Sequence, residues 1–234
     1  VSYIHLNWRY MEERDRIKVL ADAQMVRLDL AAHDMIHDMK VVQLLLVRQS
    51  GGTAHFAELA DQAMSENTVL QGIGLAPQGV MSSGARGNLP PELAAGSNLL
   101  ASGNEFQAAA QWARAYGNPV SVRISSGAEV LLYPIYLSGS ETSFWGFAVA
   151  QISLEQLLNK MDQQQTGQIA YALYQLDPWE TTERLVARSP EELLARPQEK
   201  IKEIGVQSQM KLLVTPASRW LTPFVIGSGL FLSL

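Results

Sequence analysis

Two histidines, His33 and His37, stand four residues apart in a stretch that contains neither glycine nor proline. This spacing puts both imidazoles on one face of a helix, where they can share a metal ion. Asp34 and Asp38 follow them directly, but no glutamate lies between the histidines as in zinc proteases, and no third ligand is apparent. We therefore expect no metal site and place the histidines on a solvated helix face or against a packed neighbour.

Catalytic and cofactor motifs are equally weak in this chain. The sequence contains no G-x-S-x-G nucleophile motif, and the Gly-Ser-Gly at residues 227–229 lies in an uncharged apolar run. Gly72 and Gly74 are not followed by the third glycine of a dinucleotide-binding loop. Carboxylate pairs such as Glu12 and Glu13 fall in charged, exposed runs. We predict no catalysis and no cofactor; an envelope enzyme is the weakest of the alternatives.

Polar residues on predicted strands are better suited to holding a small ligand. By strand alternation Arg123 shares a face with Ser121, and its guanidinium either faces solvent or anchors an anionic group through two hydrogen bonds. Tyr133 and Tyr136 lie on opposite faces of the next strand, so at most one of them lines a pocket.

A glycine-rich loop contributes two further candidates, Arg86 and Asn88. These side chains either close over a ligand or are simply solvated. The candidate ligand-binding residues are therefore Arg123, Tyr133, Arg86, Asn88 and Ser121.

Composition restricts the class of protein. With 234 residues, 47% hydrophobic and 18% charged, the chain can bury a substantial core. A net charge of -5 supplies no basic surface for nucleic acid. The chain has no cysteine, which excludes disulfides and thiolate metal sites.

The first element that must position these residues is a long helix over residues 12–48. Two companion seams recur at heptad spacing, as in a coiled coil or in a helix laid along a sheet. The seams are Ala21, Leu28, Met35 and Val42, with Ile17, Met25, Ala32, Met39 and Leu46. Thr53 caps a second helix that extends to Asn67.

Strands dominate the rest of the chain. The patterns predict strands at 69–75, starting again at 80–81, and then at 120–125, 129–137 and 143–152, with helices at 104–116 and 154–161 between them. Short turns make the last three strands antiparallel neighbours. Further strands follow at 169–176, 185–187 and 210–214, and residues 190–202 read as a charged helix or loop. The fold class is α+β: a long stalk helix, a PAS-like antiparallel sheet with flanking helices, and a smaller strand-rich part.

Three passages resemble the CHASE domain, a sensory module between two transmembrane helices. Residues 72–80 (GIGLAPQGV) are similar to its strand-turn-strand motif, and residues 97–120 and 132–148 are similar to its next two motifs. Residues 208–220 resemble its closing strand, whereas residues 81–88 (MSSGARGN) depart from the family pattern. The resemblance implies a PAS-like ligand sensor attached to a histidine kinase, a diguanylate cyclase or a phosphodiesterase.

The uncharged run at residues 220–234 is the last informative feature. It predicts the start of a transmembrane helix, with a buried C-terminal helix as the alternative. The organisation we expect is a stalk at 1–50, a PAS-like sensing part at 51–165, a membrane-proximal part at 166–219 and the membrane segment.

Together these features predict an extracytoplasmic, periplasmic sensor domain of a transmembrane receptor. It would bind a small molecule and relay the signal through paired stalk helices of a homodimer. The rival interpretation is a membrane-anchored structural or docking domain without a small-molecule pocket.

Overall fold

The computed structural model describes residues 2–49, 51–137, 143–161, 168–178, 183–204 and 208–217. Its helices are α1 (Ser2–Arg48), α2 (Phe56–Glu66), α3 (Gln107–Tyr116) and α4 (Leu154–Leu158). Its strands are β1 (Leu70–Pro77), β2 (Arg86–Gly87), β3 (Val120–Arg123), β4 (Glu129–Tyr136), β5 (Phe144–Ile152), β6 (Ile169–Leu176), β7 (Glu183–Arg188), β8 (Gln198–Ile204) and β9 (Ser208–Pro216). One 3₁₀ turn lies at Pro91–Leu93.

The strands form two antiparallel sheets. The large sheet has the order β2-β1-β5-β4-β3, and the small sheet has the order β7-β6-β9-β8. The hairpins β3–β4 and β4–β5 pair as their short connections predict. The described strands of the large sheet thus precede residue 153, and those of the small sheet follow residue 168.

Helix α1 packs along both sheets. It has 47 residues, which is roughly 70 Å at 1.5 Å per residue. We call its inner face the buried seam: Ala21, Met25, Leu28, Ala32, Met35, Met39, Val42 and Leu46, all of them buried. This seam joins one core with residues from both sheets, such as Leu131 in β4 and Leu212 in β9. Of the two interpretations of the heptads, the helix laid along a sheet is the one that the structure shows.

Glycine ends this helix where another residue would be strained. Gly51 has φ +88° and donates its N–H to the Leu46 carbonyl at 2.7 Å. A Cβ at this position would approach Trp145 Nε1 of β5 to 2.7 Å. The turn after α1 therefore needs both the left-handed backbone and the missing side chain.

The large sheet is covered on both faces. Helices α1 and α2 lie on one face, and α3 with the loop after β1 lies on the other. The second core between the sheet and α3 contains Phe106, Leu99, Val120, Leu132 and Phe147. Because both faces are buried, β1 carries an almost continuous apolar run rather than an alternating one.

Two ion pairs fix the direction of α1 relative to the small sheet. Lys200 and Lys202 of β8 contact Asp22 and Asp29 of α1, each at 2.7 Å. Strand β8 therefore runs parallel to α1, and β9, which pairs antiparallel with β8, runs back toward the start of the helix. The first turns of α1 and the last residues of β9 consequently lie at the same end of the molecule.

Several local predictions are wrong in detail. Helix α1 begins at Ser2, ten residues earlier than expected. The N-cap of α2 is His55 rather than Thr53. Val80 makes only an isolated bridge with Asn98, and the edge strand of the large sheet is β2.

The largest error is β8, which falls in the stretch read as a charged helix or loop. Lys200 and Lys202 point inward to the carboxylates of α1, whereas Ile201 points outward and is half exposed. The usual apolar-in, polar-out alternation is therefore inverted at residues 200–202, whereas Ile204 is buried and Glu203 exposed as usual.

The α+β class, with its long helix, antiparallel sheets and flanking helices, is confirmed. The predicted membrane segment at 220–234 lies outside the described residues. None of the helices in the described part of the chain combines the length and apolar character needed to cross a bilayer.

Candidate functional site

A buried polar cluster joins the two sheets, and two of the predicted site residues belong to it. We call it the junction network: Ser121, Arg123, Glu129, Gln175, Asp177 and Arg184. Its centre is Glu129, the buried first residue of β4. The Ser121 hydroxyl of β3 donates to Glu129 Oε1, and Arg123 Nε lies 3.8 Å from Glu129 Oε2.

The small sheet supplies the rest of the junction network. Arg184 of β7 donates from Nη1 to Glu129 Oε2 at 3.2 Å and from Nη2 to Gln175 Oε1 at 2.8 Å. Gln175 of β6 donates to the Ser121 carbonyl at 3.3 Å and to Asp177 Oδ1 at 2.7 Å. Side chains of β6 and β7 thus bind directly to β3 and β4.

The junction network is electrically balanced. Two carboxylates, Glu129 and Asp177, face two guanidiniums, Arg123 and Arg184. Removing Glu129 would leave two partly buried guanidiniums without their shared carboxylate, which costs more than the intact cluster contributes. The cluster therefore holds the two sheets in one specific arrangement.

Arg123 thus binds an anionic group, but that group is the Glu129 carboxylate of the protein itself. Sequence reasoning missed Glu129 as that partner, although the two residues face each other across a short hairpin. The contacts to Gln175, Asp177 and Arg184 depend on how the sheets meet, which no local pattern signals.

The two tyrosines lie on opposite faces of β4, as alternation predicts. The Tyr133 hydroxyl donates to Gln43 Oε1 of α1 at 3.1 Å, and burial raises the pKa of Tyr133. Tyr136 lies on the α3 side, where its ring packs against Phe144 and its hydroxyl donates to the Arg114 carbonyl. Tyr133 therefore packs on the stalk helix.

Arg86 and Asn88 lie at the other edge of the large sheet. Arg86 makes a bidentate contact with Asp61 of α2, with Nε–Oδ1 at 3.1 Å and Nη2–Oδ2 at 2.6 Å. These hydrogen bonds lower the pKa of Asp61. The exposed Asn88 follows β2, and its backbone packs so closely on Gly72 that a Cβ there would lie 2.1 Å from the Asn88 carbonyl oxygen.

The five predicted residues do not surround one cavity. Strands β2 and β3 are separated by β1, β5 and β4, which is roughly 19 Å at the usual strand spacing. Tyr133 lies on β4, between these two strands, and its side chain faces α1. The space between the large sheet and α3 is filled by Phe106, Phe147 and their neighbours. Contact of any one of the five with a ligand stays a prediction.

An open cleft lies beside the edge strand of the small sheet. We call it the β7 cleft; its volume is about 320 Å³, and it is lined by Tyr171, Ala172, Tyr174, Leu185, Arg188 and residues 189–193. Arg188 is exposed, and no ion pair is seen for it among the described residues. Glu191 and Glu192 also line the cleft, and burial together with Glu191 raises the pKa of Tyr171.

A smaller acidic cleft of about 230 Å³ lies between α1, the end of α2 and Lys160, which follows α4. Its lining includes Asp34, His37, Asp38 and Glu66, with Lys160 at one side. Burial raises the pKa of Asp38, which accepts a hydrogen bond from Asn67 at 3.0 Å. Among the residues that the structure describes, no group of three or more histidines and carboxylates has the arrangement of a metal site.

The arrangement is similar to that of several solved receptor domains. An extracellular ligand binding receptor from Desulfohalobium retbaense superposes with a TM-score of 0.58 at 12% identity over 85% of this chain. The chain spans 40% of the length of that receptor.

Two Pseudomonas aeruginosa domains match over nearly their whole length. The ligand-binding domain of the amino acid chemoreceptor PctB, solved with L-Gln, has a TM-score of 0.56, 12% identity and coverage of 94% and 99% of the two chains. That of PctC, solved with GABA, has a TM-score of 0.50, 12% identity and coverage of 86% and 100%. At these identities the likeness shows a shared fold. No known family and no curated protein matches the chain.

Proposed function

We propose that this chain is the extracytoplasmic sensing domain of a transmembrane signalling receptor. The observation that carries the proposal is that the start of α1 and the end of β9 lie at one end of the molecule. A domain inserted between two membrane helices needs this geometry, and 220–234 is the predicted second membrane segment. From the resemblance to CHASE domains, we further propose that the receptor's cytoplasmic output domain is a kinase or a cyclic-dinucleotide enzyme.

The relay follows from the same architecture. Helix α1 packs continuously against both sheets, and the junction network joins the two sheets to each other. Because the junction network ties the sheets together and β9 belongs to the small sheet, a ligand that shifts either sheet relative to α1 also moves β9 relative to α1. Only a ligand with unequal affinity for the two arrangements produces this shift.

The β7 cleft is the ligand site that we assign. Its size is at the lower end of the range for small-molecule pockets, and it combines apolar and aromatic walls with a few polar groups. The guanidinium of Arg188 suits a carboxylate, and Glu191 and Glu192 suit an ammonium group. The ligand class is thus a small zwitterion, in line with the L-Gln and GABA bound to the two chemoreceptor domains.

Thermal stabilisation by a panel of amino acids and amino-butyrates tests this assignment. A ligand at 100 times its Kd stabilises the folded chain by about 2.7 kcal/mol. We expect Arg188→Ala to lose this stabilisation and the exposed Arg48→Ala, at the far end of α1, to retain it. A ligand that stabilises both variants equally would place the site elsewhere, and no stabilisation by any zwitterion would contradict the ligand class.

The proposed receptor works as a homodimer paired through α1. Since the buried seam packs on the sheets, pairing needs another face of the helix. We call this face the open seam: Val19, Ala23, Val26, Leu30, His33, His37, Lys40 and Leu44. Each member precedes a buried-seam residue by two positions, a rotation of about 200° around the helix.

The open seam has the alternating three- and four-residue spacing of a coiled coil. Val19, Val26, Leu30 and Leu44 are 66%, 48%, 60% and 53% exposed. A stripe with this period packs best on a helix of the same period, and α1 of a second copy provides one. Val26→Asp should therefore abolish dimers in sedimentation without lowering the melting temperature of the monomer.

A second candidate function is a membrane-anchored docking domain without a small-molecule pocket. The filled space beneath α3 and the exposed apolar residues of the open seam favour it. The ligand panel separates the two functions, because a docking domain shows no zwitterion-dependent stabilisation. Sedimentation then shows whether the open seam pairs with a second copy.

A further inference from the structure

The open seam is interrupted by two histidines at its centre. Three polar residues separate Leu30 from Leu44 in this seam: His33 and His37 occupy two successive layers, and Lys40 occupies the next. Both histidine side chains are exposed, and their four-residue spacing puts them on the same side of the helix. Polar layers in a helix-pairing seam weaken apolar packing, so they need another source of stabilisation.

The structure already orients one of these imidazoles as metal proteins do. His33 Nδ1 lies 2.9 Å from the Asp29 carbonyl oxygen and 3.2 Å from Asp29 Oδ1. A backbone carbonyl or carboxylate bound to one ring nitrogen fixes the tautomer and leaves the other nitrogen free to ligate. In His33 the free atom is Nε2.

The surroundings also favour a cation. His37 lines the acidic cleft with Asp34, Asp38 and Glu66, and Asp29 lies beside His33. Three lysine amines lie near these carboxylates. Lys160 lines the cleft, Lys202 is paired with Asp29, and Lys40 lies one turn beyond His37. Carboxylates outnumber the amines, which raises the local concentration of divalent ions.

One chain supplies only two of the four ligands that a tetrahedral site requires. In a receptor dimer both copies stand on the same membrane, so their α1 helices run parallel and His33 and His37 meet the same residues of the partner copy. We propose that this dimer binds one Zn²⁺-like ion on its two-fold axis, held by His33 and His37 of both copies. This inference rests on the α1-paired dimer of the proposed function.

The chemistry is that of an all-nitrogen zinc site. Four neutral imidazoles at about 2.0–2.1 Å give a closed tetrahedral shell, which is structural rather than catalytic. Imidazole ligands also accept Ni²⁺ or Cu²⁺, while Mg²⁺ and Ca²⁺ prefer oxygen. Metal binding would lock the register of the two stalk helices.

Sedimentation velocity of the full chain with EDTA or with Zn²⁺ tests the proposal. We expect Zn²⁺ to tighten dimerisation at least about tenfold, and desalted protein to hold one ion per two chains. His33→Asn with His37→Asn should remove both effects while keeping the melting temperature. His55→Asn, an exposed histidine before α2, is the matched control and should behave as the wild type.

The outcomes separate this inference from the dimer itself. A dimer that forms equally well in EDTA and in Zn²⁺ would overturn the metal site and leave the dimer intact. A chain that stays monomeric under both conditions would overturn both. One ion per chain, or undiminished Zn²⁺ binding by the double asparagine variant, would also overturn the shared site. Co²⁺ substitution provides a second readout, since only a tetrahedral site gives intense visible absorption.

Discussion

The two sheets share one helix but differ in what covers their second face. In the large sheet that face lies under α3 and a loop layer, and a buried apolar cluster fills the space between them. In the small sheet β8 alternates strictly between inward and outward residues, and Ile201 and Leu185 remain exposed. The large sheet is therefore built as a filled core, and the small sheet as a surface with room for a partner or ligand.

This contrast moves the candidate ligand site toward the small sheet. A pocket under α3 would require the large sheet to lose packed aromatic side chains, which is costly. The β7 cleft needs no such rearrangement. Mutations can test each side of the comparison.

The largest effect is expected where the two regions share a core. Leu28→Asp with Met35→Asp forces two carboxylates into the buried seam of α1, beneath the sheets. The cost of burying unpaired charges should exceed several kcal/mol and unfold the chain, as measured by circular dichroism. The matched pair Val26→Asp and Leu30→Asp on the open seam should keep the fold. Equal melting temperatures for both pairs would contradict the packing of α1.

The Phe106→Ala variant tests how tightly the core between the large sheet and α3 is packed. Phe106 is fully buried between the sheet and α3, so its removal should cost about 3–5 kcal/mol of unfolding free energy. Ile201→Ala on the open face of the small sheet is the control and should cost well under 1 kcal/mol. Urea unfolding of both variants gives the two numbers. A small loss for Phe106→Ala would mean that the space under α3 is loosely packed.

Sequence alone predicted the parts of this fold that repeat or turn locally. The buried seam was found because its period is regular over four heptads, and β3, β4 and β5 because glycine-containing turns separate them. Strand β8 was missed because its inward side chains are lysines whose partners lie on α1. The junction network was missed because Arg184 and Glu129 are 55 residues apart and meet only through the arrangement of the sheets. The five candidate residues lie far apart for the same reason: the order of strands in a sheet depends on contacts between distant parts of the chain, which local patterns do not reveal.

The junction network should have an intermediate effect. Glu129→Gln keeps the side-chain shape but leaves Arg123 and Arg184 without their shared charge. Because both guanidiniums are partly exposed, we expect a loss of about 1–3 kcal/mol, less than for a fully buried pair. The control Glu183→Gln removes an exposed partner of Lys211 and should cost at most about 1 kcal/mol. Similar losses in urea unfolding would show that the junction is no stronger than a surface pair.

The smallest effect concerns one exposed ion pair on each sheet, and pH distinguishes the two. Hydrogen bonds from Arg86 lower the pKa of Asp61 below its ordinary value of 3.8, so this pair stabilises the large sheet above that pH and stops doing so as acid protonates Asp61. Hydrogen bonding to Glu183 raises the pKa of Lys211 above 10.5, so the small-sheet pair stabilises below that pH and is lost in alkali. Asp61→Asn should therefore flatten only the acid limb of a plot of melting temperature against pH, and Lys211→Met only the alkaline limb. An acid limb that is unchanged in Asp61→Asn would mean that the Arg86 contact contributes nothing at the edge of the large sheet.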